Sequence, residues 1–168
     1  MPDAPMPPAG QQRIARSLDS ADAGDRLKTM PNRQIAIVQA SFAQLRPIPD
    51  RVGARFYHRL FQLAPETRAM FPDDMAVQGR KLVDTLAAVV DALDHLDTIL
   101  PAVRALGLRH HAYGVRDEQY GLVGLALIET LREMLGAQFD DELERAWRDA
   151  YGLVATAMIE AANAHAAR

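Results

Sequence analysis

From residue 33 to the end of the chain, apolar residues recur every three or four positions, and no stretch shows the strict alternation of a half-buried strand. A chain with that period has only helices with which to close a core, so the expected class is all-α. The segment RQIAIVQASFAQL puts Ile35, Val38, Phe42 and Leu45 at helical spacing, and Pro47 and Pro49 close it. Asp50 is the expected cap of the next helix. There Val52, Phe56, Leu60 and Leu63 form one stripe, with Gly53, Tyr57 and Phe61 beside it, which predicts burial over a wide arc. APETRAMF reads as a short helical turn with Pro65 near its first position. Helices follow over roughly 75–92 and 98–111. Asp117 opens a long one to Leu135, closed by Gly136, and Asp140 or Asp141 starts the last, which runs past Glu160.

The 168 residues suit one domain whose core is large enough to fold alone. With no cysteine, disulfide frameworks, thiolate metal sites and cysteine nucleophiles are excluded. A net charge of −3, with both signs mixed throughout, gives no basic footprint for nucleic acid. No apolar run nears the roughly 18 residues of a membrane span, and the N-terminus lacks the basic-then-apolar layout of a secretory signal. The expectation is a soluble, cytoplasmic protein with neither nucleic acid nor membrane as partner. Four of the ten prolines fall in the first eight residues, and no apolar period precedes Ile35. Residues 1–32 therefore read as a disordered extension and 33–165 as the folded domain. A second reading makes Met30 the true first residue. Neither gives the extension a function.

Two adjacent histidines end the helix expected over 98–111. At about 100° per residue, His110 falls within about 40° of the stripe Ile99, Val103 and Leu106, and His111 about a quarter-turn or more away. His110 should point inward and His111 outward. Inward histidines are more often satisfied core groups than ligands, and spacing leaves both readings open. On the 75–92 helix, Leu82, Thr85, Leu86 and Val89 share a face with Gln78 at its N-terminal end. Gln78 is either hydrogen-bonded inside or at the exposed mouth of that helix, since an unsatisfied buried amide costs about 1–3 kcal/mol. Tyr57 carries the same ambiguity, and Tyr120 begins the stripe Tyr120, Gly124, Leu127 and Leu131. Four polar groups from four helices could thus converge on one apolar interior. A single imidazole there suits a cofactor that brings its own metal, such as haem, and not zinc, which wants three or four protein ligands.

Four segments, RFYHRLFQLAPETRAMF, LDTILPAVRALGLRHHAYGV, RDEQYGLVGLALIETLREM and AWRDAYGLVATAMIEA, resemble in order and spacing the globin family. Within it the chain is most similar to bacterial single-domain haemoglobins and the globin domain of flavohaemoglobins. The likeness spans residues 33–162. It implies a globin fold of about seven to eight helices around a pocket for haem b (iron protoporphyrin IX). The pair Arg109–His110 matches the family's KH-like pair, which implies His110 as the proximal iron ligand. Gln78 stands 32 residues earlier, the usual gap to the polar distal position, and Leu82 matches the apolar residue four positions on. Tyr57 matches the tyrosine placed over the ligand. Phe71 matches the phenylalanine that packs on the porphyrin, although an ordinary core phenylalanine would pack almost identically. Lys81 and Arg109 suit haem propionates or solvent equally. Tyr120 matches the tyrosine that flavohaemoglobins place beside the proximal histidine, whereas His58, His95, His111 and His165 are expected to be non-ligands.

The implied ligands are oxygen, nitric oxide and carbon monoxide. A phenolic donor at Tyr57, supported by Gln78, would stabilise negative charge on oxygen and slow its release, while nearly neutral carbon monoxide gains less. Two departures from the flavohaemoglobin pattern matter. No flavin or nicotinamide reductase module is expected in this chain, so turnover would be expected to need a separate reductase. With Trp147 and Tyr151 as anchors, the last-helix glutamate of flavohaemoglobins falls on Ala162, and Glu160, two residues earlier, is expected to face solvent. Without that carboxylate the proximal imidazole should donate less electron density, which weakens the case for peroxidase-like or reductive chemistry. The expected function is reversible oxygen binding for delivery or sensing. The alternatives are nitric oxide dioxygenation with an external reductase, and a haem-free module that binds protein partners. Monomer and homodimer are both compatible with the sequence.

Overall fold

The computed structural model describes residues 30–168, and every regular element among them is helical. Six α-helices are present among the described residues: α1 (Asn32–Ala43), α2 (Pro49–Leu63), α3 (Met75–Asp91), α4 (Leu100–Ala112), α5 (Asp117–Leu135) and α6 (Asp141–Ala166). Short 3-10 turns lie at Pro65–Met70, Leu96–Thr98 and Gly136–Gln138. The expected N-terminal extension lies, apart from its last three residues, outside the described residues. Met30, the first described, is already buried in the core.

Helix ends follow local chemistry, with one correction. Asp50 does not cap α2. Ile48 holds the cap position without a side-chain bond, and Pro49 opens the helix where its missing N–H would have had no partner in any case. Asp50 sits in the first turn, favourable for a carboxylate near the positive helix end, and accepts from Arg80 of α3 at 3.2 Å. Asp74 caps α3 by accepting from the Ala76 N–H at 3.0 Å, and Asp140 caps α6 by accepting from the Leu143 N–H at 2.9 Å. Gly136 ends α5 at φ 58°, a conformation that penalises any residue with a Cβ.

The core runs from Val38, Phe42 and Leu45 through Phe56 and Leu60 to Leu127, Ile128 and Leu131, all almost wholly buried. Each such side chain contributes about 1.5–3 kcal/mol, against about 0.2–1 kcal/mol for an exposed ion pair, so apolar burial sets the fold. Trp147 of α6 enters this core with its indole N–H satisfied by Ser41 Oγ at 2.9 Å, which itself donates to the Val38 carbonyl at 2.8 Å. Helix α2 runs antiparallel along α5, with Arg55 paired to Glu133 and Arg59 to Glu129 at 3.1 Å. Helices α5 and α6 are antiparallel too: Asp117 meets Asn163, Gly124 meets Tyr151, and Arg132 meets Glu144. Among the described residues no helix is long and apolar enough to cross a membrane.

Candidate functional site

Helices α2 and α3 meet backbone to backbone at Gly53 and Gly79. A Cβ added at Gly53 would come within 2.6 Å of the Gly79 Cα, and one at Gly79 within 3.2 Å of the Gly53 Cα. Tyr57 lies one turn beyond Gly53, and Gln78 is the neighbour of Gly79. The close crossing brings the two together, and Gln78 Nε2 donates to the Tyr57 hydroxyl at 3.2 Å. The phenol oxygen is thereby occupied as an acceptor while its own O–H remains available to donate. Burial raises the Tyr57 pKa, opposed in part by the Gln78 bond, so the phenol stays protonated at neutral pH.

Three aromatic rings fix the Tyr57 ring in place. Phe56 meets it edge-on at 5.0 Å between centroids, Phe71 edge-on at 5.2 Å, and Phe61 tilted at 5.8 Å. Phe71 follows the 3-10 turn and also packs on Phe61 at 5.7 Å. On α3 the fully buried line is Gly79, Val83 and Val90, while Gln78, Leu82, Leu86 and Val89 form a half-buried line beside it. Thr85, expected on that face, is exposed, and its hydroxyl donates to the Lys81 carbonyl at 2.9 Å. The Lys81 side chain is exposed.

His110 projects from the last turn of α4 and is half-buried, whereas His111 is exposed. Its Nδ1 lies 2.9 Å from the Leu106 carbonyl one turn back. A carbonyl can only accept, so Nδ1 carries the proton and Nε2 is the free, lone-pair end. Burial lowers the His110 pKa, with the Leu106 bond opposing and Arg109 adding to the effect, which favours the neutral imidazole. Tyr120, buried at the start of α5, lies 6.2 Å from the imidazole between centroids, with planes tilted by 31°. Ala162 is buried on α6, and Glu160 is exposed. Arg109, His58, His95 and His165 are exposed as well.

The Globin family model matches residues 54–158, from the middle of α2 into α6. The chain is a globin. Flavohemoproteins are among its relatives: that of Halalkalibacterium halodurans is 32% identical over 135 residues, covering 79% of this chain and 33% of the relative. The flavohemoprotein of Bordetella parapertussis is 34% identical over 127 residues, covering 74% and 32%. The globin thus spans about a third of the length of these curated relatives. Among solved structures it is similar to an engineered carbene transferase made from a proposed nitric oxide dioxygenase of Rhodothermus marinus. That likeness has a TM-score of 0.74 at 28% identity and covers 83% of this chain and 97% of that one. It also shares its fold with a bacterial globin from Campylobacter jejuni, at a TM-score of 0.72 and 23% identity over 82% and 100% of the two chains.

Globin membership and flavohemoprotein relatives imply haem, and the residues of this globin fit it. One neutral imidazole has its Nδ1 satisfied and its Nε2 free. Among the described residues, no group of three or more histidines, cysteines or carboxylates could hold a metal ion. Helices α3 and α4, which carry Gln78 and His110, make no extensive direct packing on each other. Leu82, Leu86 and Val89 on one and Leu106 on the other supply half-buried apolar surface suited to a flat apolar group.

Geometry adds two features beyond the sequence reading. The Leu106 carbonyl fixes the His110 tautomer, a role any residue one turn back would fill through its backbone. Tyr151 of α6 donates its hydroxyl to the Tyr120 carbonyl at 2.6 Å. Neither bond has a signature in side-chain periodicity.

Proposed function

We propose that this globin binds haem b through His110 and reversibly binds oxygen and other diatomic gases, for oxygen binding, delivery or sensing. The observation that carries this reading is the hydrogen-bonded pair Tyr57–Gln78, whose phenol keeps a proton to donate. Haem would supply an iron with one coordination position open to a diatomic gas. His110 would hold that iron as a neutral imidazole through Nε2, oriented by its Nδ1–H bond to Leu106. Tyr57 would donate to a gas ligand that carries negative charge, and Gln78 holds the phenol oxygen so that this proton points away from it. Buried against the rings of Phe71 and Phe61, such a donor acts in a low dielectric and is stronger than in water. The donor then slows oxygen release and stabilises carbon monoxide less. Lys81 and Arg109, both exposed, are suited to the haem carboxylates at the rim.

A second reading is nitric oxide dioxygenation with a separate reductase, favoured by the flavohemoprotein relatives and the Rhodothermus marinus neighbour. Both readings need a tight oxygen site, and they part at re-reduction. Visible spectra of the ferric and dithionite-reduced protein beside His110→Ala test the first. A Soret band whose proximal-histidine signature vanishes in the variant supports it, and a chain that takes up no haem on addition refutes it. Stopped-flow mixing of the oxygen-loaded protein with nitric oxide tests the second. Nitrate formed over many turnovers with a supplied reductase supports catalysis, and a single turnover leaves oxygen binding as the function.

A further inference from the structure

We propose that Arg68 is a positioning residue for the Tyr57 phenol, acting through Phe71. The inference rests on the reading of Tyr57 as the donor to a bound gas. Of the three rings against that phenol, Phe56 and Phe61 belong to α2 and move with Tyr57. Phe71 comes from outside the helix, at the end of the 3-10 turn, and meets the Tyr57 ring at 5.2 Å between centroids. Gln78 holds the phenol at its oxygen and leaves the ring to lean about that contact. How far it leans therefore depends on where Phe71 is held.

One residue holds Phe71 at both of its backbone polar groups. The Phe71 N–H donates to the Arg68 carbonyl at 3.2 Å, and the Phe71 carbonyl accepts from Arg68 Nη1 at 3.3 Å. The same Nη1 donates to the Pro72 carbonyl at 3.0 Å. Among the described residues no backbone N–H reaches either carbonyl, and the chain has no regular structure from Phe71 to the α3 cap at Asp74. The half-buried Arg68 guanidinium also lies over the Phe61 ring, 5.3 Å from its centroid, and Phe61 packs on Phe71 at 5.7 Å. Arg68 thus ties the Phe71 backbone to a ring of α2. A flat guanidinium can stack on the ring and reach both carbonyls at once, whereas a compact ammonium cannot. Removing it leaves the helices intact and lets Phe71 draw away from Tyr57.

The test uses the full chain loaded with haem. The C–O stretch of its carbon monoxide adduct is recorded by infrared spectroscopy, because that frequency falls when a donor faces the ligand oxygen. Oxygen release is timed alongside. Tyr57→Phe comes first: an unmoved stretch there fails the reading of Tyr57 itself, and both fall together. Arg68→Met keeps the stem on Phe61 and loses both carbonyl bonds. It should broaden the band towards the Tyr57→Phe position and raise the oxygen off-rate about fivefold. Arg68→Lys keeps a donor for one carbonyl at a time and should fall between the wild type and Arg68→Met. The control is Arg46, whose guanidinium also lies over a phenylalanine, Phe42, at 5.1 Å, where the neighbouring ring is Trp147. Arg46→Met should leave both the stretch and the off-rate at their wild-type values. A wild-type band in Arg68→Met, or in Arg68→Lys where the methionine variant does not fold, overturns the proposal, as does an equal shift in Arg46→Met.

Discussion

The two sides of the site are built by opposite means. On the Tyr57 side the hydrogen-bonded pair comes from two neighbouring helices in direct backbone contact and is only 21 residues apart in sequence. On the His110 side the parts come from three helices, and each is held at one remove. His110 is held by its own helix, Tyr120 by α5, and the Tyr120 backbone by Tyr151 of α6. The first geometry is set by excluded volume, so it should be sensitive to added atoms. The second is set by single hydrogen bonds, so it should be sensitive to removed ones.

The largest effect tests the single point on which the His110 side depends. His110→Gly should abolish stable haem binding, and imidazole added to the variant should restore a five-coordinate ferrous spectrum. Retention of the unaltered spectrum in the variant would place the ligand elsewhere. On the opposite side, Tyr57→Phe should leave haem in place and raise the oxygen off-rate about 10- to 100-fold. That range follows from a charge-assisted bond of about 1.5–3 kcal/mol at about 1.4 kcal/mol per decade. Carbon monoxide displacement in a stopped-flow instrument measures it. An unchanged off-rate would remove Tyr57 from the ligand's surroundings.

The glycines sharpen the contrast further. Gly53→Ala drives a methyl onto the Gly79 backbone at 2.6 Å and should lower the stability of the haem-free chain by about 1–3 kcal/mol in urea unfolding. Gly79→Ala meets Gly53 at 3.2 Å, where a shift of a few tenths of an ångström suffices, and alanine also gains up to about 1 kcal/mol in helix propensity. Its net effect should be much the smaller. Equal losses would mean that the crossing yields as a unit and that volume does not set the Tyr57–Gln78 distance.

Legibility in the sequence followed the same division. Helical period alone separates half-buried His110 from exposed His111, and it sees the Gly53–Tyr57–Phe61 line as a second buried stripe. It cannot give the Tyr57–Gln78 bond, because that depends on how closely α2 and α3 cross, and two isolated glycines do not announce a shared contact. Asp50 misled because a good capping residue stands next to a proline that takes the first helical position itself. Tyr151 served in the sequence only as an anchor for matching the last helix, since its partner is a backbone carbonyl that every residue type possesses.

The smallest effect compares the two phenols directly. Burial raises both pKa values, but the Gln78 donor opposes that rise at Tyr57, whereas the neighbouring Tyr120 adds to it at Tyr151. In an alkaline titration followed by phenolate absorbance, with Tyr57→Phe and Tyr151→Phe assigning the steps, Tyr57 should ionise first. A phenol whose folded pKa lies above its unfolded value binds more protons folded than unfolded once the pH passes the unfolded value of about 10. Its contribution to stability is whole below that pH and is lost as pH rises towards the folded value. Each Phe variant should therefore flatten the alkaline fall in stability, and Tyr151→Phe should do so to the higher pH. The reverse order of ionisation would mean that the Gln78 amide presents its oxygen to Tyr57, with the phenol donating to it, and the donor assigned to the gas ligand would be lost with it.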